Sequence, residues 1–264
     1  MADFTAKDVQ ALRKASGAGM MDAKKALQEN DGDAEAAAKW LREKGLAKMA
    51  GRSDRENAQG TVAMALAGGA GAVVQLKCET DFVAKSDDFV ALVQELADGV
   101  AAGGPDAVSG FDTRIEDMRV TLKEHIEVGD VIHFGATDGN TVGGYLHAQE
   151  GRGVNGVLVE TVGGDDELVK NIAMHVSFDR PKYARREDVP ADVVAAERET
   201  LETISRNEGK PEAALPKIVD GRMNGFFKEV VLLEQPYVRD QKVTIEKLLD
   251  GAELVRFGQT EIGA

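Results

Sequence analysis

Histidine and cysteine are the side chains that most often carry chemistry in proteins, and this sequence contains four of the first and one of the second. The histidines lie on four different predicted elements, and no HxxxH or CxxC pattern is present: His125, His133, His147 and His175. Such patterns place two ligands on one element, where both can bind the same metal ion. The sequence therefore predicts no metal site.

Covalent catalysis finds equally little support. Cys78 falls on the inward side of a strand-like run, where a cysteine usually packs as a small apolar residue. Neither a G-x-S-x-G elbow nor a P-loop motif is present. The segment GGAGA (68–72) lies between two strand-like runs, so turn geometry explains it better than phosphate binding does. We predict no catalytic residue and no cofactor.

Composition and charge narrow the class of protein further. The chain has 264 residues and a formal net charge of −14, the opposite of the basic surface that nucleic acids require. A single cysteine suits a reducing compartment. The N-terminus lacks a signal-peptide pattern, and no apolar run approaches the ~18 residues of a membrane span. These features predict a cytoplasmic protein that contacts neither nucleic acid nor membrane directly.

One segment is suited to binding another protein. Residues 79–89 read ETDFVAKSDDF and join a strand-like run that ends at Cys78 to a helix-like run. Such connections are usually short and polar, yet this one contains Phe82. If Phe82 and Val83 pack under the sheet, the segment is an ordinary capped loop. If it protrudes, Phe82 is an aromatic anchor with Asp81 as its polar neighbour.

An internal repeat bears on that choice. Residues 60–78 and 141–162 each predict two strands around a glycine-rich turn, the first with the alternation of a half-buried strand at 73–78, and each is followed by a helix that opens with two aspartates. In the first of these helices, apolar residues recur at helical spacing from Phe89 to Val100 and give it one apolar face. Residues 119–132 and 242–255 also align without a gap, and both predict a short helix, a turn and a strand. We infer two half-domains of the order β-β-α-α-β, related by duplication.

The two halves differ in length at the segment in question. Gly71 lies 16 positions before Asp87, whereas Gly156 lies 9 positions before Asp165. The connection is thus 7 residues longer in the first half, and the surplus is approximately TDFVAKS (80–86). Because the second half closes without it, we predict that this segment serves a partner rather than the fold.

The remaining segments complete an α+β architecture with antiparallel sheets. Residues 1–45 predict three helices, each too short to be stable alone, and Thr5 with Asp8 is the predicted cap of the first. Residues 46–60 predict a linker, whose first residues are also compatible with a helical tail. The first half of the core spans 61–140 and the second 141–264. An antiparallel helical hairpin interrupts the second half at 187–236.

Two methionines allow two interpretations. Met20 and Met21 fall in a predicted loop between the first two helices, with Asp22 as the predicted cap of the second. They either fill the core or form an exposed, adaptable apolar contact, and the pattern favours neither. Packing between the two hairpin helices, rather than a partner, best explains a further apolar set: Leu201, Ile204, Met223, Phe226, Phe227 and Val230.

Four stretches together resemble the translation elongation factor Ts family. They are LRKASGAGMMDAKKAL (12–27), CETDFVAKSDDF (78–89), GGYLHAQEGRGVNGVLVE (143–160) and DDELVKNIAMHV (165–176). The resemblance implies a ubiquitin-associated-like N-terminal domain, a two-part duplicated core and an inserted helical hairpin. It also implies a nucleotide exchange factor that performs no covalent catalysis and binds elongation factor Tu in its GDP-bound and nucleotide-free forms.

The resemblance further implies roles for individual residues. Asp81 and Phe82 would wedge into the GTPase domain of the partner, disturb its Mg²⁺ and phosphate site, and promote GDP release. Three residues would shape the wedge: Thr80, Val83 and Lys85. Three more would contact the same domain: Arg13, Met20 and Met21. His147 would contact the partner's other domains.

Other function classes stay open at this point. A scaffold or adaptor protein would use the N-terminal helices to bind a ubiquitin-like partner, and an enzyme would need a site without a recognised motif. The stoichiometry is open as well, since the core or the helical arm is suited to a dimer or a 2:2 complex.

Overall fold

Three helices form the N-terminal part of the chain. The computed structural model describes three stretches: residues 4–16, 18–50 and 56–263. For residues 46–50 the backbone alone is described. The helices are α1 (Ala6–Ser16), α2 (Met20–Glu29) and α3 (Ala34–Ala50). Their small core consists of Val9, Leu12, Ala23, Ala26, Leu27, Ala37 and Leu41.

Local hydrogen bonds set the start of α1 as predicted. The backbone N–H of Thr5 donates to the Asp8 carboxylate at 2.7 Å, and the N–H of Asp8 donates to the Thr5 hydroxyl at 3.4 Å. This reciprocal arrangement satisfies amide groups that the first turn of a helix leaves without partners.

The start of α2 differs from the prediction. Met20 and Met21 are the first residues of α2 rather than loop residues, and Gly19, in extended conformation, precedes them. Asp22 therefore lies inside the first turn and does not cap the helix. Helix α3 continues to Ala50, so residues 46–50 form the helical tail that the sequence of the predicted linker allowed, because Gly45 is followed by good helix formers. Residue 17, between the first two helices, and residues 51–55, in the predicted linker, lie outside the described part of the chain.

The first half of the core is a three-stranded antiparallel sheet with helices. In chain order its elements are β1 (Gln59–Ala67), β2 (Ala70–Cys78), α4 (Asp81–Ala84), α5 (Asp87–Gly103), α6 (Asp112–Leu122) and β3 (Glu127–Phe134), with β2 in the centre of the sheet. Gly68 and Gly69 form the β1–β2 turn with φ of 56° and 84°. A two-residue type I′ hairpin turn requires positive φ at both of its central positions, which glycine adopts readily. The predicted apolar face of α5 is buried against the sheet.

The second half has a sheet of the same order. Its elements are β4 (Asn140–Gln149), β5 (Arg152–Val162), α7 (Asp166–Asp179), α8 (Ala191–Asn207), α9 (Leu215–Val230), β6 (Pro236–Tyr237), β7 (Asp240–Thr244), α10 (Ile245–Leu248) and β8 (Glu253–Glu261). The sheet order is β4-β5-β8, and β6 and β7 form a small ribbon that the sequence did not predict. Helices α8 and α9 are the hairpin, and Met223 is buried between them as expected, whereas Ile204 is exposed.

The gapless alignment of the two halves is wrong before the final strands. Residues 119–121 belong to the last turn of α6, whereas the aligned residues 242–244 belong to β7. Three residues are too few to distinguish a helical period from a strand period. The duplication itself stays a prediction.

The two sheets pack against each other. Val62 and Val73 of the first sheet share a buried cluster with Leu158 of the second. A Cβ at Gly156 would lie 2.6 Å from a methyl group of Val73, closer than real contacts allow. Glycine at this position therefore lets the central strands of the two halves approach closely.

A buried histidine joins α7 to the segment that follows the hairpin. His175 is fully buried, its Nε2 lies 3.0 Å from Oε1 of Gln235, and the N–H of Val238 donates to its Nδ1 at 3.3 Å. Burial lowers the pKa of His175, although the bond to Gln235 and the nearby Asp179 carboxylate act in the opposite direction. Because the amide oxygen of Gln235 only accepts, its bond requires a proton on Nε2, while Nδ1 faces both the N–H of Val238 and, at 3.0 Å, the carboxylate of Asp179.

This environment predicts a pH dependence of stability. Because the pKa of His175 is lower in the folded chain than in the unfolded one, the unfolded chain binds the proton more tightly. The free energy of unfolding is therefore expected to fall as the pH drops below about 6.5, the ordinary pKa of histidine. Urea unfolding at several pH values should show a shallower dependence for His175→Gln than for the wild type. His147→Gln, on an exposed strand position, should retain the wild-type dependence, and equal slopes for the two variants would contradict the assignment.

Candidate partner-binding site

The connection between β2 and α5 is longer than its counterpart in the second half. It comprises residues 79–86, eight in number, whereas residues 163–165, three in number, join β5 to α7. The surplus between element ends is thus five residues rather than the predicted seven. Counting from Gly71 and Gly156 gives a larger difference because both glycines lie inside strands and Asp165 precedes α7, which begins at Asp166.

The surplus folds into the single turn of α4. Thr80, in extended conformation, caps this turn, and its hydroxyl accepts the N–H of Val83 at 3.3 Å. The N–H of Ala84 donates to the carbonyl of Thr80 at 3.2 Å, and that of Lys85 donates to the carbonyl of Asp81 at 3.1 Å. One turn of helix is not stable by itself, so the surrounding protein has to hold it.

One side of α4 is attached to the core. Ala84 is fully buried, and Val83 packs against the buried cluster of the first sheet. The hydroxyl of Thr61, on β1, donates to the carbonyl of Ala84 at 2.7 Å. The thiol of Cys78 lies 3.2 Å from the carbonyl of Thr80. Val83 therefore belongs to the support of the segment rather than to its exposed tip.

The other side of α4 presents Phe82 to solvent. The residue is 84% exposed, the largest exposure among the large apolar residues of the described chain, and Asp81 beside it is half-exposed. The loop interpretation in which Phe82 tucks under the sheet is therefore wrong, and only Val83 does so. An exposed aromatic ring on an anchored turn is a typical feature of a protein-binding surface.

Lys85 connects this segment to the second sheet. Its ammonium lies 2.8 Å from the carboxylate of Asp81 and 2.5 Å from that of Glu150, in the β4–β5 turn. The bond from Lys85 lowers the pKa of Asp81, and the bonds to Asp81 and then Glu150 raise the pKa of Lys85. Exposed ion pairs contribute little to stability, so the main effect of this pair is on orientation.

The other predicted contact residues are exposed but lie on separate elements. Arg13 is in the last turn of α1, and Met20 and Met21, 48% and 74% exposed, begin α2. His147 is on β4, in the same hairpin as Glu150, and Nδ1 of its ring lies 3.4 Å from the hydroxyl of Tyr145. The β4–β5 hairpin thus carries both His147 and Glu150, the residue that binds Lys85 of the α4 segment.

The N-terminal helices are held against the core at a different place. The guanidinium of Arg42 on α3 lies 3.4 Å from the carboxylates of Glu116 and Asp117 on α6. Gly45 lies so close to Val120 that a Cβ would be 2.7 Å from a methyl group of that residue. These contacts set where Met20 and Met21 lie relative to the core.

The comparison with known proteins decides the family. Residues 79–264 match the family model described as Elongation factor TS. A protein named Elongation factor Ts from Clavibacter michiganensis is 45% identical over 278 aligned residues, and the alignment covers 100% of both chains. Proteins of the same name from Kineococcus radiotolerans and Nocardioides sp. are 45% and 46% identical, again with 100% of both chains covered. The chain belongs to the elongation factor Ts family. It is accordingly a member of a family of translation elongation factors.

Within this family member, the single cysteine has a structural explanation. Cys78 is fully buried in the core of the first sheet, and burial raises the pKa of its thiol to about 12. The prediction that it packs as a core residue is confirmed. Among the described residues, no three or more His, Cys, Asp or Glu side chains are grouped as metal ligands would be. No described helix is both long and apolar enough to span a bilayer.

Sequence reasoning missed the carboxylates that hold the α4 segment in place. Glu150 contacts Lys85 across 65 positions of the chain, and Glu124 contacts Thr80 across 44. Glu124 lies outside the four stretches that carry the family resemblance, and nothing in the stretch that contains Glu150 indicates its contact with Lys85, since glutamates are abundant in an acidic chain. A contact between such distant positions has no local sequence signal.

Proposed function

We propose that this elongation factor Ts family member is a guanine nucleotide exchange factor for elongation factor Tu. It binds the GDP-bound form, inserts Asp81 and Phe82 into the GTPase domain, disturbs the Mg²⁺ and phosphate site, and promotes GDP release. No covalent step is involved, and the reaction takes place in the cytoplasm. The observation that carries the proposal is the exposure of Phe82 on a turn whose opposite side is attached to the core.

The energetics of exchange are consistent with this arrangement. A factor that expels GDP binds the nucleotide-free partner more tightly than the GDP form, and by linkage GDP weakens the factor to the same degree. Each tenfold of antagonism requires about 1.4 kcal/mol. Full burial of a phenylalanine side chain releases about 1.5–3 kcal/mol, enough for one to two such factors.

Mg²⁺ is the natural target of a wedge. The ion bridges nucleotide phosphates in GTPases and neutralises their charge, so a small displacement of its ligands loosens GDP. The inserted segment should be rigid, because a flexible segment would lose conformational entropy on insertion and bind more weakly. The anchors on Ala84 and the Asp81–Lys85 ion pair supply this rigidity before binding.

Release of labelled GDP from elongation factor Tu tests the proposal. Excess unlabelled nucleotide prevents rebinding, and the rate is measured with increasing amounts of the chain. We expect a saturable acceleration. A GDP release rate that stays unchanged at the highest concentrations of the chain would contradict exchange activity and favour the adaptor alternative. Sedimentation of the mixed proteins then distinguishes a 1:1 from a 2:2 complex.

The N-terminal contact leads to a separate prediction. We expect Met20→Gln/Met21→Gln to raise the half-saturating concentration roughly tenfold, since two exposed thioethers that become buried in a complex contribute about 1–2 kcal/mol. The rate at saturation should stay near that of the wild type, because the wedge is intact. Lys25→Gln, at an exposed position of the same helix, serves as the control. Equal half-saturation for both variants would exclude these methionines from the interface.

A further inference from the structure

At the base of α4, two loops that are distant in sequence each donate backbone N–H groups to a glutamate of the other. Glu124, in the connection between α6 and β3, accepts the backbone N–H groups of Glu79 and Thr80, both at 3.1 Å. Its second oxygen lies 2.5 Å from the hydroxyl of Thr80. In return, Glu79 accepts the backbone N–H of His125 at 2.7 Å. Each loop thus satisfies amide groups of the other.

The bond between Glu124 and Thr80 determines how α4 is capped. An ionised carboxylate only accepts hydrogen bonds, so the hydroxyl of Thr80 has to direct its hydrogen towards Glu124. This leaves an oxygen lone pair for the N–H of Val83, the bond that begins the α4 turn. Bonds to a charged acceptor are shorter and stronger than neutral ones, which makes Glu124 the principal polar support of the cap.

We propose that Glu124 is a positioning residue for nucleotide exchange: through Thr80 it sets the direction in which α4 presents Phe82. The inference rests on the proposed exchange function. It adds a residue that lies outside the motif in which the wedge was recognised. Loss of Glu124 would leave the Phe82 side chain intact but permit α4 to rotate or fray at its first residue.

A role of Glu124 in nucleotide exchange can be separated from a role in the stability of the fold. The inward side of α4 keeps its attachment through Ala84 and the hydroxyl of Thr61 when Glu124 is altered. The core below is also unchanged, because Glu124 is not among its members. We therefore expect a variant at this position to fold, with its defect confined to residues 79–86.

The test begins with Glu124→Gln, which keeps the shape of the side chain. One oxygen becomes an NH₂ group, which cannot accept the N–H or O–H donors that surround it. In the free chain, we expect faster amide hydrogen exchange at Thr80 and Val83. In the assay, we expect the GDP release rate at saturation to fall roughly tenfold or more, the scale that small displacements of reacting groups produce. The half-saturating concentration should change less.

A matched control separates this effect from loss of negative charge. Glu95→Gln removes a carboxylate on α5 that binds Arg114 of α6, in the same half of the core, and has no described contact with residues 79–86. We expect wild-type hydrogen exchange in that segment and a wild-type rate of GDP release.

Variants of Thr80 test whether Glu124 acts through the cap. Thr80→Val removes the hydroxyl at similar volume and should lower the saturating rate as Glu124→Gln does, while Thr80→Ser, which keeps the hydroxyl, should recover most of it. The double variant Glu124→Gln/Thr80→Val should be little slower than the slower single variant, because coupled residues are not additive. The Thr80 pair also decides the matter if Glu124→Gln does not fold.

Three results would overturn the inference, and they are distinguishable. If hydrogen exchange at Thr80 and Val83 is unchanged in Glu124→Gln, the carboxylate does not order α4. If amide hydrogen exchange at these residues is faster but GDP release is normal, Glu124 only secures a loop. The proposed nucleotide exchange function then stands without a contribution from Glu124. If the wild type itself does not accelerate GDP release, the proposed function fails and the positioning role fails with it.

Discussion

Phe82→Ala is expected to slow stimulated GDP release by roughly 30-fold or more while leaving the stability of the free chain unchanged. The ring is 84% exposed and belongs to no buried cluster of the described residues. Its removal should therefore change the free energy of unfolding by no more than about 0.5 kcal/mol. Truncation of an aromatic anchor in an interface typically costs about 2 kcal/mol or more, which corresponds to that loss of rate.

The measurement needs both a rate and a denaturation curve. Phe178→Ala is a matched control, since this phenylalanine near the end of α7 is 72% exposed and lies outside the α4 segment. It should release GDP at the wild-type rate. A Phe82→Ala chain that unfolds would show that Phe82 supports the fold. A folded chain with normal activity would exclude Phe82 as the wedge.

Phe89→Ala is expected to have the opposite result, a large loss of stability. Phe89 follows Phe82 by seven positions but is fully buried in the cluster that α5 forms with the first sheet. Truncation of a buried phenylalanine typically costs about 3–5 kcal/mol, through lost apolar contact and the cavity left behind. The midpoint of urea unfolding measures this loss.

Activity provides a second measurement for the same variant. Val83 and Ala84 contact the cluster that contains Phe89, so a cavity there should loosen the support of α4 and slow GDP release even where the chain stays folded. Phe178→Ala again provides the comparison, with a change of about 0.5 kcal/mol or less in the free energy of unfolding. A loss below about 1 kcal/mol for Phe89→Ala would mean that the core under α4 repacks easily.

The contrast between the two phenylalanines shows how far sequence patterns reach. Phe89 begins the apolar face of a predicted helix, and its burial follows from that period. Phe82 has no such neighbours, and only the extra length of its connection indicated exposure. That argument correctly predicted a segment beyond the needs of the second half, although the surplus measures five residues rather than seven.

The sequence by itself determined features that depend on neighbouring residues. Alternation predicted the strands, the helical period predicted the buried face of α5, and Thr5 with Asp8 predicted the start of α1. Two glycines in succession predicted the β1–β2 turn. In each case the interacting groups are separated by at most about one helical turn, so the order of residues already contains the interaction.

The tertiary structure alone decided the features that join distant residues. It packed Val83 against the core and left Phe82 in solvent, paired Lys85 with Glu150, and brought Glu124 to the cap of α4. It also buried His175 beside Gln235. No local period encodes such pairs, because the packing of whole elements sets which side chains meet, and each glutamate resembles many others until that packing exists.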